Sequence, residues 1–537
     1  MQKQLLATLA SLAAMQGLAA QSNKVSGLDG NLYDISSPTV WGRRGPAYPG
    51  GEIGFSAANY MCNPGTVQIP WQAAMQPNHP KFGFMIVRVQ NDRMVQISDY
   101  SYIKHAFTSI NGNSGPCAPC QGTGGLGGTV MGIGCYDVYG AGNNGDRFYL
   151  GPPDELDPWL GVWTPVGSYF DHGDPNVGGA AAMDGVRSLT SSQVNAFDVV
   201  KNRVTVKESE LGIAGATYYY QIHLIHQGEA LEKRGNNLRS RGVNLTWNGS
   251  SWSAGNVGSS VSGSVLTRWS GASYDQAANG TDDGQFGIAV KVTGPTNGLY
   301  HYEYAVQNID NNRGSAAFRL PVCAGARVQN LGFRDIDANP LNDWTTSVTN
   351  TEIAFLAAAG NSQRWNQLFN FWFDCDVAPV AGSATFDEAT PGPGALSFTV
   401  PTQVPGLQPS VYLGAGCGTP ALDIFPNGVP SAGNASFAID AASDPSTPFL
   451  LFFSDMEASS SLGSGCTLFL DMGTLSVIGL YSTNAAGTAS IPVPVAPSQV
   501  AADLFLQAAS FVPSPPLFGL VGLSNGLKVR FASPGCN

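Results

Sequence analysis

The segment Leu299–Val306, LYHYEYAV, decides the fold class of this 537-residue chain. In an extended backbone, Tyr300, Tyr302, Tyr304 and Val306 lie on one face, and the alternate residues lie on the other. Helical spacing does not separate the residues in this way. The pattern therefore predicts a β-strand.

Similar alternating runs recur along the chain, each bounded by Gly, Pro, Asn or Asp. They lie at Phe82–Val89, Val199–Val206, Thr217–Leu224, Phe286–Val292 and Trp365–Phe373. The chain contains 66 Gly and 35 Pro, and beyond its N-terminus no long stretch has apolar residues at helical spacing. The sequence therefore predicts an all-β protein built of packed β-sandwich domains.

The composition is that of a folded, acidic protein. Hydrophobic residues make up 43% of the chain and charged residues only 12%, whereas disordered chains show the reverse balance. The formal net charge of −12 at pH 7 would repel a phosphate backbone. We therefore expect no nucleic-acid partner.

The first 20 residues have the organisation of a secretory signal peptide. Lys3 precedes an apolar stretch from Leu5 to Leu18, and small residues follow up to Ala20. Polar residues interrupt this stretch, which is too short for a membrane anchor, and no later segment could span a bilayer. We predict that 1–20 is removed and that the mature protein is secreted or lies at the cell surface.

Composition divides the mature chain into two regions. Pro and Gly cluster at Phe386–Gln408, and the part that follows residue 400 has no His and only two basic residues. We predict a large β-rich region over 21–400, with a candidate subdivision near 174–192. A C-terminal Greek-key-like β-sandwich module is predicted over 401–537.

Several short strings carry a resemblance to known sequences. They are Lys104–Phe107, Gly132–Asp137, Leu150–Pro152, Tyr300–Tyr304, Asn370–Asp374, Asp503–Gln507 and Gly522–Leu527. They resemble strings of an uncharacterised family of large secreted bacterial all-β proteins that share a C-terminal β-sandwich module. The resemblance implies secretion and β structure, and it supplies no activity and no catalytic residues.

Nine cysteines follow the signal peptide, and in an exported protein they are expected to form disulfide bonds. The candidates are Cys62, Cys117, Cys120, Cys135, Cys323, Cys375, Cys417 and Cys466. The first four allow three connectivities. We favour the bonds Cys323–Cys375 and Cys417–Cys466, which leave Cys536 as the unpaired cysteine.

Zinc is the alternative for part of the first cysteine group. Cys117, Cys120 and Cys135 together with His105 offer four ligands of the zinc type. An oxidising compartment favours disulfides instead, and Cys62 is available as the fourth disulfide partner. We therefore expect disulfides rather than zinc.

Calcium is the one cofactor that a sequence pattern suggests. Asp335, Asp337 and Asn339 place oxygen ligands at alternate positions, as the start of a calcium loop does. Pro340 then stands where an EF-hand needs Gly, so the motif is not an EF-hand. The alternative is a turn whose side chains accept hydrogen bonds from their own backbone.

Aromatic rings and two strand residues are the candidate ligand-binding groups. Trp159, Trp163 and Tyr169 occur in a Pro-rich loop, where exposed rings would stack on a sugar, the alternative being that they pack in a core. His301 and Glu303 share the second face of the opening strand, and a carboxyl group there is a candidate for glycoside hydrolysis.

The sequence thus predicts a secreted or cell-surface, non-catalytic β protein. It would act in extracellular binding, with a glycan or another surface component as partner, or in extracellular structure. Two alternatives stay open: a glycan-active hydrolase that uses carboxylates of the N-terminal region, and a calcium-stapled surface-layer or adhesion protein.

Overall fold

The computed structural model describes residues 24–121, 128–173, 182–281, 283–322, 326–337, 339–349, 351–406, 410–499 and 502–531. The predicted signal peptide, Cys323 and Cys536 lie outside these ranges. All paired strands are antiparallel within them, so the all-β prediction is confirmed. In these ranges helical structure is limited to short segments at Ala141–Asn144, Tyr169–His172 and Ser191–Asn195 and to 3-10 turns at Arg147–Tyr149, Pro153–Glu155, Glu208–Glu210, Leu231–Asn236 and Val265–Arg268.

The first region, residues 24–262, is organised around a seven-stranded sheet of order β11-β8-β6-β13-β14-β15, with β7 paired to β6. Smaller sheets have the orders β1-β4-β10, β12-β3-β2 and β5-β9. The strands are β1 (Asn31–Ile35), β2 (Thr39–Arg44), β3 (Glu52–Ser56), β4 (Asn59–Cys62), β5 (Ile69–Pro70), β6 (Lys81–Gln90), β7 (Arg93–Gln96), β8 (Ile103–His105), β9 (Val130–Met131), β10 (Tyr136–Tyr139), β11 (Leu150–Gly151), β12 (Val204–Lys207), β13 (Thr217–Ile225), β14 (Leu238–Trp247) and β15 (Trp252–Ser262).

The candidate subdivision near 174–192 does not separate two folding units. Strand β13 follows this stretch in sequence but lies between β6 and β14 in the sheet. One hydrophobic core also takes residues from both sides, for example Phe82 and Ile222. The main-chain hydrogen bonds and the core join the two halves, so the expectation of a division here is wrong. The predicted strand Val199–Val206 is also shorter than expected, since β12 begins at Val204.

Two disulfides attach the loop after β8 to the small sheet β1-β4-β10. Cys62–Cys117 and Cys120–Cys135 are formed, which is one of the three possible connectivities. Because Cys117, Cys120 and Cys135 are disulfide-bonded, their thiols are not available as zinc ligands. Cys417–Cys466 is formed as predicted. Cys375 is buried and has no disulfide partner among the described residues, and its predicted partner Cys323 lies outside them.

The middle region is a β-sandwich of two five-stranded sheets, β16-β17-β18-β23-β20 and β21-β22-β19-β24-β25. Its strands are β16 (Ser273–Ala278), β17 (Gln285–Thr296), β18 (Leu299–Asn308), β19 (Ser315–Pro321), β20 (Val328–Arg334), β21 (Thr345–Val348), β22 (Glu352–Leu356), β23 (Gln367–Cys375), β24 (Pro379–Glu388) and β25 (Ser397–Pro405). Strand β18 contains LYHYEYAV, and Tyr302, Tyr304 and Val306 are buried between the sheets as the alternation predicts.

The opposite face of β18 is also covered. Ala305 packs in a small core with Met85 of β6 and Leu368 of β23, so this core joins the first region to the sandwich. Hydrogen bonds reinforce the contact: Asn370 Nδ2 donates to the Met94 carbonyl at 2.7 Å. The first region and the sandwich therefore share one continuous interface.

The C-terminal module is a second sandwich, with sheets β26-β36-β34-β29-β32 and β27-β28-β33 and a hairpin β30-β31; β35 pairs with β34. Its strands are β26 (Ser410–Gly414), β27 (Asp423–Asn427), β28 (Ala438–Ala442), β29 (Pro448–Ser454), β30 (Glu457–Gly463), β31 (Cys466–Leu470), β32 (Ser476–Ser482), β33 (Thr488–Pro492), β34 (Asp503–Ser510), β35 (Gly522–Leu523) and β36 (Gly526–Arg530). Strand β25 crosses residue 400 and pairs with β24, so the start predicted at 401 falls inside the last strand of the middle sandwich.

Candidate functional site

A cleft of about 280 Å³ lies where the turn between β6 and β7 approaches the middle sandwich, and His301 and Glu303 line it. The two residues occupy alternate positions of β18, so their side chains share one face, as the sequence predicts. The β6–β7 hairpin supplies Asp92 and Arg93 from the opposite wall. The cleft is therefore built by two regions that are far apart in sequence.

Glu303 is held by Arg93 in a two-pronged ion pair. Arg93 Nε donates to Oε1 at 2.7 Å and Nη2 donates to Oε2 at 2.5 Å. The guanidinium also stacks on the Trp372 ring, 3.7 Å from its centroid. Because Glu303 is buried, its charge needs such a partner, and the fork geometry of Arg supplies it. Both carboxylate oxygens thus accept hydrogen bonds from Arg93.

His301 bridges two carboxylates. Its Nδ1 lies 2.7 Å from Asp374 Oδ1, and its Nε2 lies 3.3 Å from Glu303 Oε2. The hydrogen bond to Glu303 raises the pKa of His301, burial opposes this, and Asp374 raises the pKa further. Both ring nitrogens donate only in the imidazolium form, so the site favours a charged histidine.

The remaining charges of the cleft are also paired. Lys291 Nζ lies 2.7 Å from Asp92 Oδ1, and Glu210 accepts from both Arg88 and Arg334. Several of these pairs join the first region to the middle sandwich. These ion pairs stabilise the interface between the first region and the middle sandwich. Each charged side chain that forms them is paired with another side chain of the protein.

The pairing of His301 with Asp374, and of Asp374 with Asn330, was not predicted from the sequence. Strand pairing places Asp374 opposite His301, and Asn330 Nδ2 donates to Asp374 Oδ2 at 2.5 Å. This register depends on β18 and β23 being neighbours in the sheet. Pairing between strands so far apart in sequence cannot be read from alternation alone.

The three predicted sugar-stacking rings are not exposed. Trp159, Trp163 and Tyr169 have relative exposures of 7%, 2% and 6%. The ring of Trp163 packs edge-on to His79, with centroids 5.1 Å apart, and the Arg234 guanidinium lies 4.3 Å from the Trp159 ring centroid. The expectation of exposure is wrong because the loop folds onto the large sheet, where Trp163 and Tyr169 provide bulk to a core and Trp159 is covered by Arg234.

The candidate calcium residues form consecutive turns. Asp335 Oδ1 accepts from the Asp337 amide at 2.9 Å, and Asp337 Oδ1 accepts from the Asn339 amide at 2.6 Å. The second oxygen of Asp335 accepts from Asn361 Nδ2 at 2.7 Å. These oxygens accept hydrogen bonds from backbone amides and from the Asn361 side chain, as expected if the segment is a turn rather than a calcium loop. Within the described ranges no group of three or more His, Cys, Asp or Glu side chains is placed to hold a metal ion, and calcium stays a prediction.

A buried group of basic side chains was missed by the sequence analysis. His79 Nε2 lies 2.8 Å from His105 Nδ1, and both rings are buried beside Trp163. Lys81 donates to two backbone carbonyls, whereas Lys104 Nζ has no hydrogen-bond partner in the described structure. Lys104 Nζ lies 4.3 Å from the centroid of the Tyr149 ring.

Burial sets the protonation of this group. Removal from water penalises the charged form, which lowers the pKa of Lys81 to about 7 and the pKa values of His79, His105 and Lys104 well below their ordinary values. His223, buried beside Trp365, has its pKa lowered to about 3 by the same cause. Burial therefore favours the neutral form of His79, His105 and His223.

The described part of the chain contains no helix long and apolar enough to cross a membrane. No family model matches the sequence, and no curated protein matches it. The family resemblance of the short strings therefore stays a prediction.

Several solved structures resemble the chain weakly. BcpA, the major pilin subunit of Bacillus cereus, is 10% identical, with a TM-score of 0.19 over 63% of this chain and 85% of its own. A tetra-tandem repeat from the extending region of a large adhesion protein is 8% identical, with a TM-score of 0.14 over 89% of this chain and 95% of its own. Escherichia coli alpha-2-macroglobulin is 9% identical, with a TM-score of 0.14 over 94% of this chain and 35% of its own. Similarity this low carries no argument about function.

Proposed function

We propose that this chain is a secreted or cell-surface β protein that acts in extracellular structure or binding rather than in catalysis. The observation that carries the proposal is the state of Glu303 and His301, the polar pair that the sequence singles out. Glu303 forms an ion pair with Arg93, and His301 forms one with Asp374. Arg93 and His301 direct their polar hydrogens at carboxylates of the protein itself, so these groups brace an interface instead of being aimed at a substrate.

The disulfides support the extracellular part of the proposal. Three disulfide bonds lie within the described residues, and such bonds persist in oxidising compartments. They join loops to sheets rather than forming a redox motif on a βαβ unit. Together with the N-terminal segment 1–20, they favour an exported protein.

The test has two arms on the full mature chain. Intact source cells and their culture medium are treated with a membrane-impermeant amine label. Labelling of this chain in either fraction is expected, whereas labelling only after lysis would contradict a surface or secreted location. The purified chain is then screened against a panel of polysaccharides for release of reducing ends. No release above buffer is expected.

A matched pair of variants makes the second arm specific. Glu303→Gln removes the candidate carboxylate, and Glu457→Gln removes an exposed carboxylate on β30 of the C-terminal module. Hydrolysis by the parent chain that disappears in Glu303→Gln and persists in Glu457→Gln would overturn the proposal in favour of the hydrolase.

A further inference from the structure

The cleft between the β6–β7 hairpin and the middle sandwich concentrates positive charge in an acidic protein. The chain has a formal net charge of −12, yet basic side chains outnumber carboxylates in the lining of this cleft. The basic side chains are Arg88, Arg93, Lys291, His301 and Arg334, and the carboxylates are Asp92 and Glu303. Because a cleft lined mainly by one sign of charge focuses the field, an anion is attracted here although most of the remaining surface repels it.

Solvent reaches the basic groups of the cleft more easily than it reaches Glu303. The side chains of Arg334 and His301 are 35% and 41% exposed, whereas Glu303 is 4% exposed. Asp92, at the tip of the hairpin, is the exposed carboxylate of the cleft. The inner surface that a solute meets is therefore mainly positive.

The ion pairs of the two exposed arginines leave hydrogen-bond donors unused. Arg93 donates to Glu303 from Nε and Nη2, and Arg334 donates to Glu210 from Nη2. Nη1 of each guanidinium has no hydrogen-bond partner in the described structure and is open to solvent. Each arginine can therefore donate to a further acceptor while it keeps its carboxylate partner.

Lys291 adds a donor from the sheet itself. Strand β17 places it opposite Glu303 of β18, so both side chains lie on the cleft face of the sheet. Its Nζ donates to Asp92 Oδ1 at 2.7 Å and to the Ser270 carbonyl at 3.4 Å. An ammonium group carries three donors, and an ion pair with an exposed carboxylate is weak. An external anion can therefore compete with Asp92 for Lys291.

The hairpin holds its donor in place before any ligand binds. Gln90 pairs with Arg93, so a two-residue turn joins β6 to β7. Asn91 and Asp92 occupy this turn with φ values of 49° and 59°, as a type I′ turn requires. The Trp372 ring stacks on the Arg93 guanidinium and fixes it further. Donors that are ordered in advance lose little conformational freedom on binding.

The size of the cleft limits the ligand to one small unit. Its volume of about 280 Å³ is close to the lower end of the range of about 300–1,000 Å³ for small-molecule pockets. A long polyanion would also meet the acidic surface outside the cleft. The charge and the volume together favour a small molecule with one anionic group.

We propose that this cleft binds a small oxyanion, a carboxylate or sulfate group carried on a single unit such as an acidic monosaccharide. Lys291 and the Nη1 atoms of Arg93 and Arg334 supply the hydrogen bonds, and guanidinium groups suit both kinds of oxyanion. The proposal names the ligand chemistry for the binding part of the function proposed above, and it rests on that function.

Isothermal titration calorimetry of the full mature chain at low ionic strength tests the ligand chemistry. The probes are D-glucuronate, inorganic sulfate and neutral D-glucose. Glucuronate or sulfate is expected to bind and glucose is not, and the tighter of the two anions identifies the anionic group. Failure of both anions to bind, or equal binding of glucose, overturns the proposal. Cell labelling and hydrolysis would be unaffected by that outcome, so it is distinguishable from failure of the proposed function.

Variants locate the binding in the cleft. Lys291→Gln and Arg334→Gln should each weaken anion binding about tenfold, the equivalent of one charge-assisted hydrogen bond. Asp92→Asn should tighten it severalfold because it removes the internal competitor, a gain that a misfolded chain cannot produce. The control is Arg319→Gln, which removes an arginine that is 29% exposed on the other sheet of the sandwich. Equal weakening in the control, or unchanged binding in both cleft variants, contradicts the proposal. Thermal melts establish that each variant is folded.

Discussion

The buried histidine His223 makes the stability of the first region depend on pH in a way that can be measured. Its ring is nearly inaccessible, and its Nδ1 has no hydrogen-bond partner in the described structure. Burial is the main cause of the lowered pKa, and the nearby Arg234 lowers it further. Protonation in the folded state would place an unsolvated charge inside the protein.

The sign and size of the effect follow from the two pKa values. The folded-state pKa of His223 is about 3, below the ordinary value of 6.5. The unfolded chain therefore binds more protons between these values, so the contribution to stability is complete above about pH 6.5 and is lost as pH falls toward 3. From pH 6.5 to 5 the loss is about 2 kcal/mol, at about 1.4 kcal/mol per pH unit.

The assay compares His223→Phe with the parent chain in urea unfolding at pH 8 and pH 5, followed by tryptophan fluorescence. Phe keeps an aromatic ring beside Trp365 but takes no proton, so the drop in unfolding free energy between the two pH values should be smaller by about 2 kcal/mol. His172→Phe, which removes an exposed histidine, is the control. The reasoning is refuted if His223→Phe shows the parent pH dependence, or if both variants change it equally.

Three further predictions concern the cleft, the disulfides and calcium. Arg93→Met should lower the free energy of unfolding by about 2 kcal/mol because it leaves the buried Glu303 carboxylate without its main partner, and adding Glu303→Gln should recover part of that loss in the same urea assay. Replacing the Cys62–Cys117 bond by serines should cost about 1 kcal/mol more than replacing the Cys120–Cys135 bond, because its loop is longer, with sequence separations of 55 and 15; equal losses in melts would contradict the loop-entropy reasoning. Chelator should leave the melting temperature unchanged, since the Asp337 carboxylate already serves its own turn, and a rise with added calcium would instead support a calcium loop.

Some site residues were predictable and others were not, for a physical reason. That His301 and Glu303 share a face follows from the two-residue period of a strand, a local property. Their partners Arg93 and Asp374 come from other strands, and the interaction depends on which strands are neighbours. The Pro-rich loop that carries Trp163 reads as exposed because the residues that bury its ring, such as His79, are distant in sequence.

The sequence by itself determined the all-β class and the buried face of LYHYEYAV, because alternation along one strand reflects one packed layer. It also favoured the Cys417–Cys466 bond, whose two cysteines lie in one module, and the structure confirms this bond. Only the tertiary structure decided that β18 is covered on both faces, because Met85 reaches Ala305 across more than two hundred residues of chain. Local periodicity records how a strand faces its own sheet, whereas the contacts that bury loops, pair charges and select among four cysteines form only when distant strands meet.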